Sequence, residues 1–220
     1  MPRKKTGNLG KGKLLIRVFC EGESEQAYTE YLKKKFSDVA IIKYPKSPGL
    51  FEYANDIFKK DPQYRDNAEV TDEIWFFFDV EPGDVQVLEQ RMKIVKRLRR
   101  LRTNPNIKVR FLMTKGCIEY WLMLHYKMYN PSIQTTSEKE RVVKELLENE
   151  PSYRKGNCVS TAKIAEKYPA AINNSKMILT GLLEKGMPGL SDTDERNTWL
   201  CRCSFTFSTV HEAIEFLQSL

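Results

Sequence analysis

Long apolar runs are missing from this chain of 220 residues. No run approaches the roughly 18 residues of a membrane-spanning helix, and the amino terminus has no hydrophobic signal core. Histidine is scarce, with two residues, and the five cysteines are scattered and odd in number. Cys201 and Cys203 have no second pair of ligands to match them, which argues against a zinc site. We therefore expect a cytoplasmic protein with reduced thiols and no membrane contact.

Several catalytic motifs are also missing. The chain has no Gly-x-Ser-x-Gly elbow and no nucleophile paired with histidine, so the sequence gives no sign of covalent catalysis. Residues 7–13 lack the spacing of a phosphate-binding Walker loop. Residues 1–13 are basic, contain glycine and show no periodicity, which predicts a flexible leader. There is no internal repeat that would indicate a solenoid.

The charge of the chain has a clear sign. The formal net charge is +7 and the isoelectric point is near 9.1. This excess of positive charge fits a polyanionic partner such as nucleic acid. The length is that of one domain that buries a sizeable core, or of one domain with an appended part.

Short apolar runs alternate with helical patterns in the first half of the chain. Strands that alternate with helices favour an α/β fold with a mostly parallel sheet flanked by helices. We predict such a domain over residues 14–130, with a helical C-terminal part over residues 131–220 packed on the same domain. Thr209 and Glu212 have the spacing of a capping box that opens a last helix. The predicted strands are 14–20, 39–44, 73–78 and 107–113, and the predicted helices are 24–36, 50–60, 84–102, 118–128, 138–150, 159–168 and 171–184. The polar stretch 186–196 is predicted as a connection, and residues 198–207 fit no single element.

Acidic residues follow two of the predicted strands. Glu21 comes directly after the first strand, and Asp79 and Glu81 follow the strand that begins near residue 73. Carboxylates at the carboxyl ends of parallel strands face the crevice where ligands bind, and a divalent cation is the usual reason for such groups to converge. The alternative is that Glu21 and Asp79 cap the helices that follow them.

Three segments carry a resemblance to a known family. They are CEGESE at residues 20–25, DVE at residues 79–81 and TKGCIEYWLMLHY at residues 114–126. Together they resemble the RloB-like family, bacterial proteins with a Toprim fold that are often found near restriction and phage-defence genes. The resemblance implies that Glu21, Asp79 and Glu81 bind Mg²⁺ and act on phosphodiesters. The family's Asp-x-Asp pair is Asp-x-Glu here, which alters the expected metal geometry.

Five further residues are secondary candidates for this site. Glu25 matches the family's Glu-Gly-x-x-Glu segment, and Asp84 follows the second acidic motif in an ordinary N-cap position. Glu119 lies in an apolar helix, where an unpaired carboxylate is costly, so we expect it either to face the site and contact metal or a cation such as Lys115, or to form a structural pair. His125 is interpreted more readily as a core histidine with a satisfied hydrogen bond than as a general acid.

Residues 91–102 hold seven cations in twelve positions. A solvated helix face is the usual interpretation of such a run, but it would more often mix lysine with glutamate, and a face with one sign of charge repels itself. Contact with phosphate is therefore an equally good explanation. The candidate nucleic-acid-binding residues are Lys96, Arg97, Arg99, Arg100 and Arg102.

The leading hypothesis is a Mg²⁺-dependent nuclease, with Mn²⁺ as an alternative metal, that hydrolyses RNA (tRNA being one candidate) or DNA in phage defence or abortive infection. The rival is a non-catalytic nucleic-acid-binding or adaptor protein with a degenerate Toprim fold. Nucleotidyl transfer is a third and weaker option, since it uses the same metal carboxylates. Because the chain has no ATPase segment, we also expect control through a homo-oligomer or a regulatory ATPase partner.

Overall fold

A four-stranded parallel sheet forms the centre of the protein in this computed structural model, which describes residues 12–220. The strand order is β2-β1-β3-β4, and every pair of neighbours is parallel. The α/β fold and the parallel sheet predicted from the sequence are therefore confirmed. Most of the predicted leader lies outside the described residues. The strands are β1 (Leu14–Cys20), β2 (Ala40–Lys43), β3 (Glu73–Val80) and β4 (Lys108–Lys115).

The helices that alternate with the strands lie near their predicted positions, although the helix that begins at Asp84 ends at Arg99 and not at the predicted residue 102. In α1 the Glu25 side chain accepts a hydrogen bond from the backbone N–H of Gly22, the residue that precedes the helix. Asp61 ends α2 and caps α3 by accepting from the backbone N–H of Gln63. The sequence did not predict α3 or the 3₁₀ turn Ala68–Val70. These helices are α1 (Glu23–Lys35), α2 (Phe51–Lys60), α3 (Pro62–Arg65), α4 (Asp84–Arg99) and α5 (Ile118–Met123), the last of which ends before the predicted residue 128.

Five more helices follow β4 and α5. They are α6 (Thr136–Asn149), α7 (Cys158–Ala165), α8 (Tyr168–Leu183), α9 (Asp194–Arg202) and α10 (His211–Gln218). Helix α9 begins inside the stretch predicted as a connection, where Thr193 caps it by accepting from the Arg196 N–H. The predicted capping box at Thr209 is wrong. The Thr209 hydroxyl instead accepts from the Met113 N–H and donates to the Phe111 carbonyl of β4, and Val210 precedes α10 without a side-chain cap.

The C-terminal helices pack on the same hydrophobic core as the sheet. Helix α7 contacts α1, α9 contacts α4, and α10 contacts α8. Residues 208 and 114 form a bridge beside β4, and the Lys115 N–H donates to the Phe207 carbonyl. Strand β3 is covered on both faces, and Trp75, Phe76 and Phe77 are fully buried. No helix within residues 12–220 is long and apolar enough to cross a membrane.

Candidate active site at the carboxyl edge of the sheet

Glu21 and Asp79 lie together at the ends of the neighbouring strands β1 and β3. The register pairs Cys20 with Phe77, and the Glu21 N–H donates to the Phe77 carbonyl at 3.0 Å. One carboxylate oxygen of Glu21 accepts from the Asp79 N–H at 2.8 Å. Neither side chain caps a helix, because Gly22 precedes α1 and Gly83 precedes α4. The convergence expected from the two strand ends is therefore present, and the capping alternative is not realised.

Asp79 has the most unusual environment of these residues. Its Oδ1 atom is buried and has no hydrogen-bond partner within the described part of the chain. Burial raises the pKa of Asp79 well above its ordinary value, and the nearby charges of Glu25, Glu21 and Glu119 raise it further. An unpartnered buried carboxylate oxygen is costly, so this position is suited to a bound cation.

Burial and neighbouring carboxylates also raise the pKa values of Glu25 and Glu21. Glu25 is only 5% exposed, and burial, followed by the charges of Glu21 and Glu119, raises its pKa to about 7. Partial burial also raises the pKa of Glu21, while its hydrogen bond from Asp79 opposes that change. We refer to Glu21, Glu25, Asp79 and Glu119 as the acidic cluster. Its members repel one another in the absence of a counter-ion.

Glu119 is anchored by a loop that no sequence pattern connects to the site. It is 1% exposed, and its Oε1 accepts from the Tyr153 hydroxyl at 3.0 Å and lies 3.3 Å from the Lys155 ammonium. The cation partner is thus Lys155, whereas the sequence suggested Lys115. Gly156 has a φ of +70°, and a Cβ there would lie 3.0 Å from the Cβ of Glu23. The loop between α6 and α7 therefore lies against the start of α1.

The second carboxylate of the Asp-x-Glu pair points elsewhere. Glu81 forms an ion pair with Lys139 of α6 at 2.6 Å. Its backbone N–H donates to Asp84, and the Asp84 carboxylate is 2.7 Å from the guanidinium of Arg91. Asp84 is thus already neutralised by its own helix. Nothing local in the sequence indicated Lys139, which comes from a helix far along the chain.

The carboxylates at this edge of the sheet differ in how well they fit a divalent cation. Within residues 12–220, no three His, Cys, Asp or Glu side chains stand close enough together to enclose a metal ion. Mg²⁺ needs only one or two protein carboxylates, because it keeps several waters and also takes substrate phosphate. The unpartnered oxygen of Asp79 and the adjacent carboxylate of Glu21 fit that requirement. Glu81 fits it only if its carboxylate leaves Lys139.

The two other secondary candidates lie apart from the acidic cluster. His125 is buried, with Nδ1 3.0 Å from the Trp121 carbonyl and Nε2 3.2 Å from the Tyr28 hydroxyl. Burial lowers the pKa of His125 to about 3, so the ring is neutral and both nitrogens have partners. This matches the core interpretation. Lys115 lines a cavity of about 390 Å³ next to the cluster, together with Glu81, Lys139 and Arg202.

The basic run on α4 is largely paired within the protein. Arg99 makes two hydrogen bonds to Asp194, at 2.6 and 2.7 Å, and Arg102 is 3.0 Å from Asp72. Arg97 donates to the side chain of Asn55. Self-repulsion, which made this run notable in the sequence, is therefore relieved by residues from other elements. The cations of the run that are exposed and have no ion pair within residues 12–220 are Lys93, Lys96 and Arg100.

Comparison with known proteins identifies the family. No curated protein matches the sequence. The family model described as RloB-like protein matches residues 16–217. This match runs from β1 to α10 and includes every residue of the acidic cluster. It also extends well beyond residue 130, so the C-terminal helices belong to the same family unit as the sheet. The chain is therefore a member of the RloB-like protein family.

Proposed function

We propose that the protein is a Mg²⁺-dependent nuclease that hydrolyses phosphodiester bonds in RNA or DNA. The observation that carries this proposal is the Asp79 carboxylate, whose Oδ1 is buried and unpartnered and which lies close enough to Glu21, Glu25 and Glu119 to be repelled by their charges. A structural role would supply a donor to that oxygen, as Tyr153 supplies one to Glu119. A cation site leaves it free.

Each residue has a separate role in the proposed reaction. Asp79 and Glu21 would hold Mg²⁺, which polarises a phosphoryl oxygen and stabilises its developing charge. Glu25, with a pKa of about 7, is suited to take a proton from the attacking water near neutral pH. Glu119, paired with Tyr153 and Lys155, would hold the loop between α6 and α7 against the cluster.

Positive charge beside the cluster would receive the phosphate of the substrate. The cavity lined by Lys115, Lys139 and Arg202 adjoins Val80 and Glu81, which follow Asp79 in the chain. Lysine and arginine side chains at such a position neutralise phosphate oxygens and release counter-ions. Because these contacts go to the backbone, they give no preference among base sequences.

The direct test is a cleavage assay on tRNA, single-stranded DNA and plasmid with Mg²⁺, Mn²⁺ or EDTA. Wild type should yield products only with metal. Glu21→Gln and Asp79→Asn should abolish cleavage, since each removes a charged ligand with little change in volume. Glu52→Gln, at an exposed position of α2, is the matched control and should retain full activity. Full turnover by either site variant would refute the assigned site.

One observation favours the rival proposal of a non-catalytic nucleic-acid-binding or adaptor protein. Glu81 is held by Lys139, and no three-ligand metal group is formed within residues 12–220. Such a protein would bind nucleic acid with an affinity that does not depend on metal and would give no products with either ion. The cleavage assay, run beside a binding assay in EDTA, separates the two proposals.

A role in phage defence or abortive infection is part of the proposal, and it rests on the family's association with restriction and phage-defence genes. A nuclease without an activating signal would harm its host. We therefore propose control through self-association or through a partner such as an ATPase. Gel filtration of the pure protein with and without nucleic acid tests the first of these.

A further inference from the structure

A second charged groove lies beside the edge strand β2, away from the acidic cluster. Phe19 of β1 packs against Tyr53, Phe58 and Tyr64, so α2 and α3 cover β1 on this face. They do not cover β2, where Ile41 is 44% exposed. The result is a groove of about 710 Å³, which we call the β2 groove. Residues that line it include Arg17, Ile41, Lys43, Lys46, Tyr53 and Tyr64.

Arg17 is the residue that marks this groove as a binding site. Its side chain is 2% exposed, yet no carboxylate within residues 12–220 lies close enough to form an ion pair with it. Its Nε atom is buried and has no hydrogen-bond partner there. Its guanidinium carbon stands 4.5 Å from the centre of the Tyr64 ring. A buried charge without a partner of opposite sign is costly, and a cation–π contact offsets only part of that cost.

The two other buried arginines show what is missing at Arg17. Arg110 lies 3.3 Å from Glu73, and Arg196 lies 2.5 Å from Glu212. Each thus has its own carboxylate inside the protein. Asp61 lines the same groove as Arg17, but it caps α3 instead of pairing with the guanidinium. The anion that would complete Arg17 must therefore come from outside the described chain.

The surroundings of Arg17 indicate which anion fits. Lys43 and Lys46 are exposed and have no ion pair within residues 12–220, so the rim of the groove is positive. Tyr44 and Tyr53 are half-buried and place aromatic rings along the same lining, whereas the ring of Tyr64 is buried and faces Arg17. Cations that follow a phosphate backbone, interleaved with aromatic rings that accept bases, are the usual means of binding single-stranded nucleic acid.

The groove is also connected to the active site through the loop that follows β2. The Gly49 N–H donates to the Cys20 carbonyl at 2.8 Å, next to Glu21. The Gln26 side chain of α1 donates to the carbonyls of Pro45 and Lys46. One end of the groove therefore lies one strand away from the acidic cluster, within reach of a nucleic-acid chain that leaves it.

We propose that the β2 groove binds the phosphodiester backbone of single-stranded nucleic acid, with Arg17 pairing with one phosphate and with Tyr44 and Tyr53 contacting the bases. The identity of this strand as the substrate rests on the proposed function. Its binding in the groove does not, because a non-catalytic protein would use the groove in the same way.

The test measures binding of a fluorescent 20-nucleotide oligouridylate by anisotropy in EDTA, across a salt series. Lys43→Ser/Lys46→Ser should weaken binding about tenfold and reduce the slope of log affinity against log salt by about 1.4, as expected for two lost phosphate contacts. The control, Lys144→Ser/Lys185→Ser, removes the same charge from exposed positions elsewhere and should leave the slope unchanged. Equal losses in both double variants would show that only net charge matters and would overturn the proposal.

Arg17→Met gives a second readout that a merely structural role would not produce. It should weaken oligouridylate binding at least fivefold and leave the melting temperature of the free protein unchanged or raised, because it removes an unpaired buried charge. A lowered melting temperature with unchanged affinity would assign Arg17 to the fold and overturn its role as a phosphate ligand. A parallel cleavage assay keeps the two proposals apart. If the groove variants lose binding and wild type does not cleave, the groove is supported and the nuclease is rejected. If wild type cleaves and the groove variants bind as tightly as wild type, the nuclease is supported and the groove is rejected.

Discussion

Replacing Asp79 by asparagine should stabilise the metal-free protein, although the same change should abolish activity. The wild-type carboxylate has a buried, unpartnered Oδ1 and is repelled by Glu21, Glu25 and Glu119. Asparagine keeps the volume and removes the charge. Relief of an unsatisfied buried charge is worth about 1–3 kcal/mol, which in a chain of this size raises the melting temperature by roughly 2–10 °C.

The effect should depend on pH with a definite sign. The folded-state pKa of Asp79 lies above its ordinary value of 3.8, so the folded protein holds a proton that the unfolded chain releases as pH rises. The free energy of unfolding of wild type therefore falls as pH rises above 3.8, whereas that of Asp79→Asn does not fall for this reason. The two proteins should have similar stability near pH 3 and should differ most at pH 8.

Chemical unfolding at pH 3, 6 and 8, with and without Mg²⁺, measures both effects. At ten times its dissociation constant, Mg²⁺ should stabilise wild type by about 1.4 kcal/mol, and it should leave Asp79→Asn almost unaffected. Asp66→Asn, at an exposed position paired only with Arg65, is the control and should behave like wild type. If Asp79→Asn is less stable than wild type at pH 8, the carboxylate makes a favourable structural contact and our reasoning about the site is wrong.

Three further predictions concern neighbouring groups. Wild type should lose up to about 3 kcal/mol of its free energy of unfolding between pH 4.5 and about 7, as Glu25 ionises, and Glu25→Gln should not show this loss when unfolding is measured across that range. The glutamine side chain keeps an acceptor for the Gly22 N–H. Mn²⁺ should support cleavage at least as well as Mg²⁺, because it tolerates the longer Glu81 carboxylate, and Glu81→Asp should narrow the difference in metal titrations. Replacing the exposed cations of the basic run at residues 91–102 by serine should reduce the salt slope of nucleic-acid binding by about 2 if this face contacts phosphate, and an unchanged slope would assign it to solvent. Those cations are Lys93, Lys96 and Arg100.

The parallel sheet and the meeting of Glu21 with Asp79 could be predicted because both follow from local patterns. Each strand is a short apolar run, and parallel strands place their carboxyl ends at one edge. Glu25 was found through its match to the family's Glu-Gly-x-x-Glu segment, which begins at Glu21. Periodicity and strand order were enough for the sheet and for the meeting of Glu21 with Asp79.

The partners of the charged residues could not be predicted, because they come from distant parts of the chain. The basic run of α4 looked self-repelling until Arg99 met Asp194 of α9 and Arg102 met Asp72 before β3. Glu119 was expected to need a cation, but its partner Lys155 lies in a loop without any periodic signal. Thr209 had the local spacing of a helix cap, and the backbone of β4 took its hydroxyl instead. Tertiary contacts of this kind override local preference.

On the proposed function, the distribution of lysines around the acidic cluster explains why a divalent ion suits this site. Lys139 and Lys155 neutralise the outer carboxylates Glu81 and Glu119, and both reach the site from the C-terminal helices and their loops. Neither forms an ion pair with Asp79, whose Oδ1 has no partner in the described part of the chain. Asp79, Glu21 and Glu25 therefore carry negative charge that no ion pair within the described residues neutralises. A lysine cannot supply two charges at one point, whereas Mg²⁺ can, and it can also retain the waters from which a nucleophile is drawn.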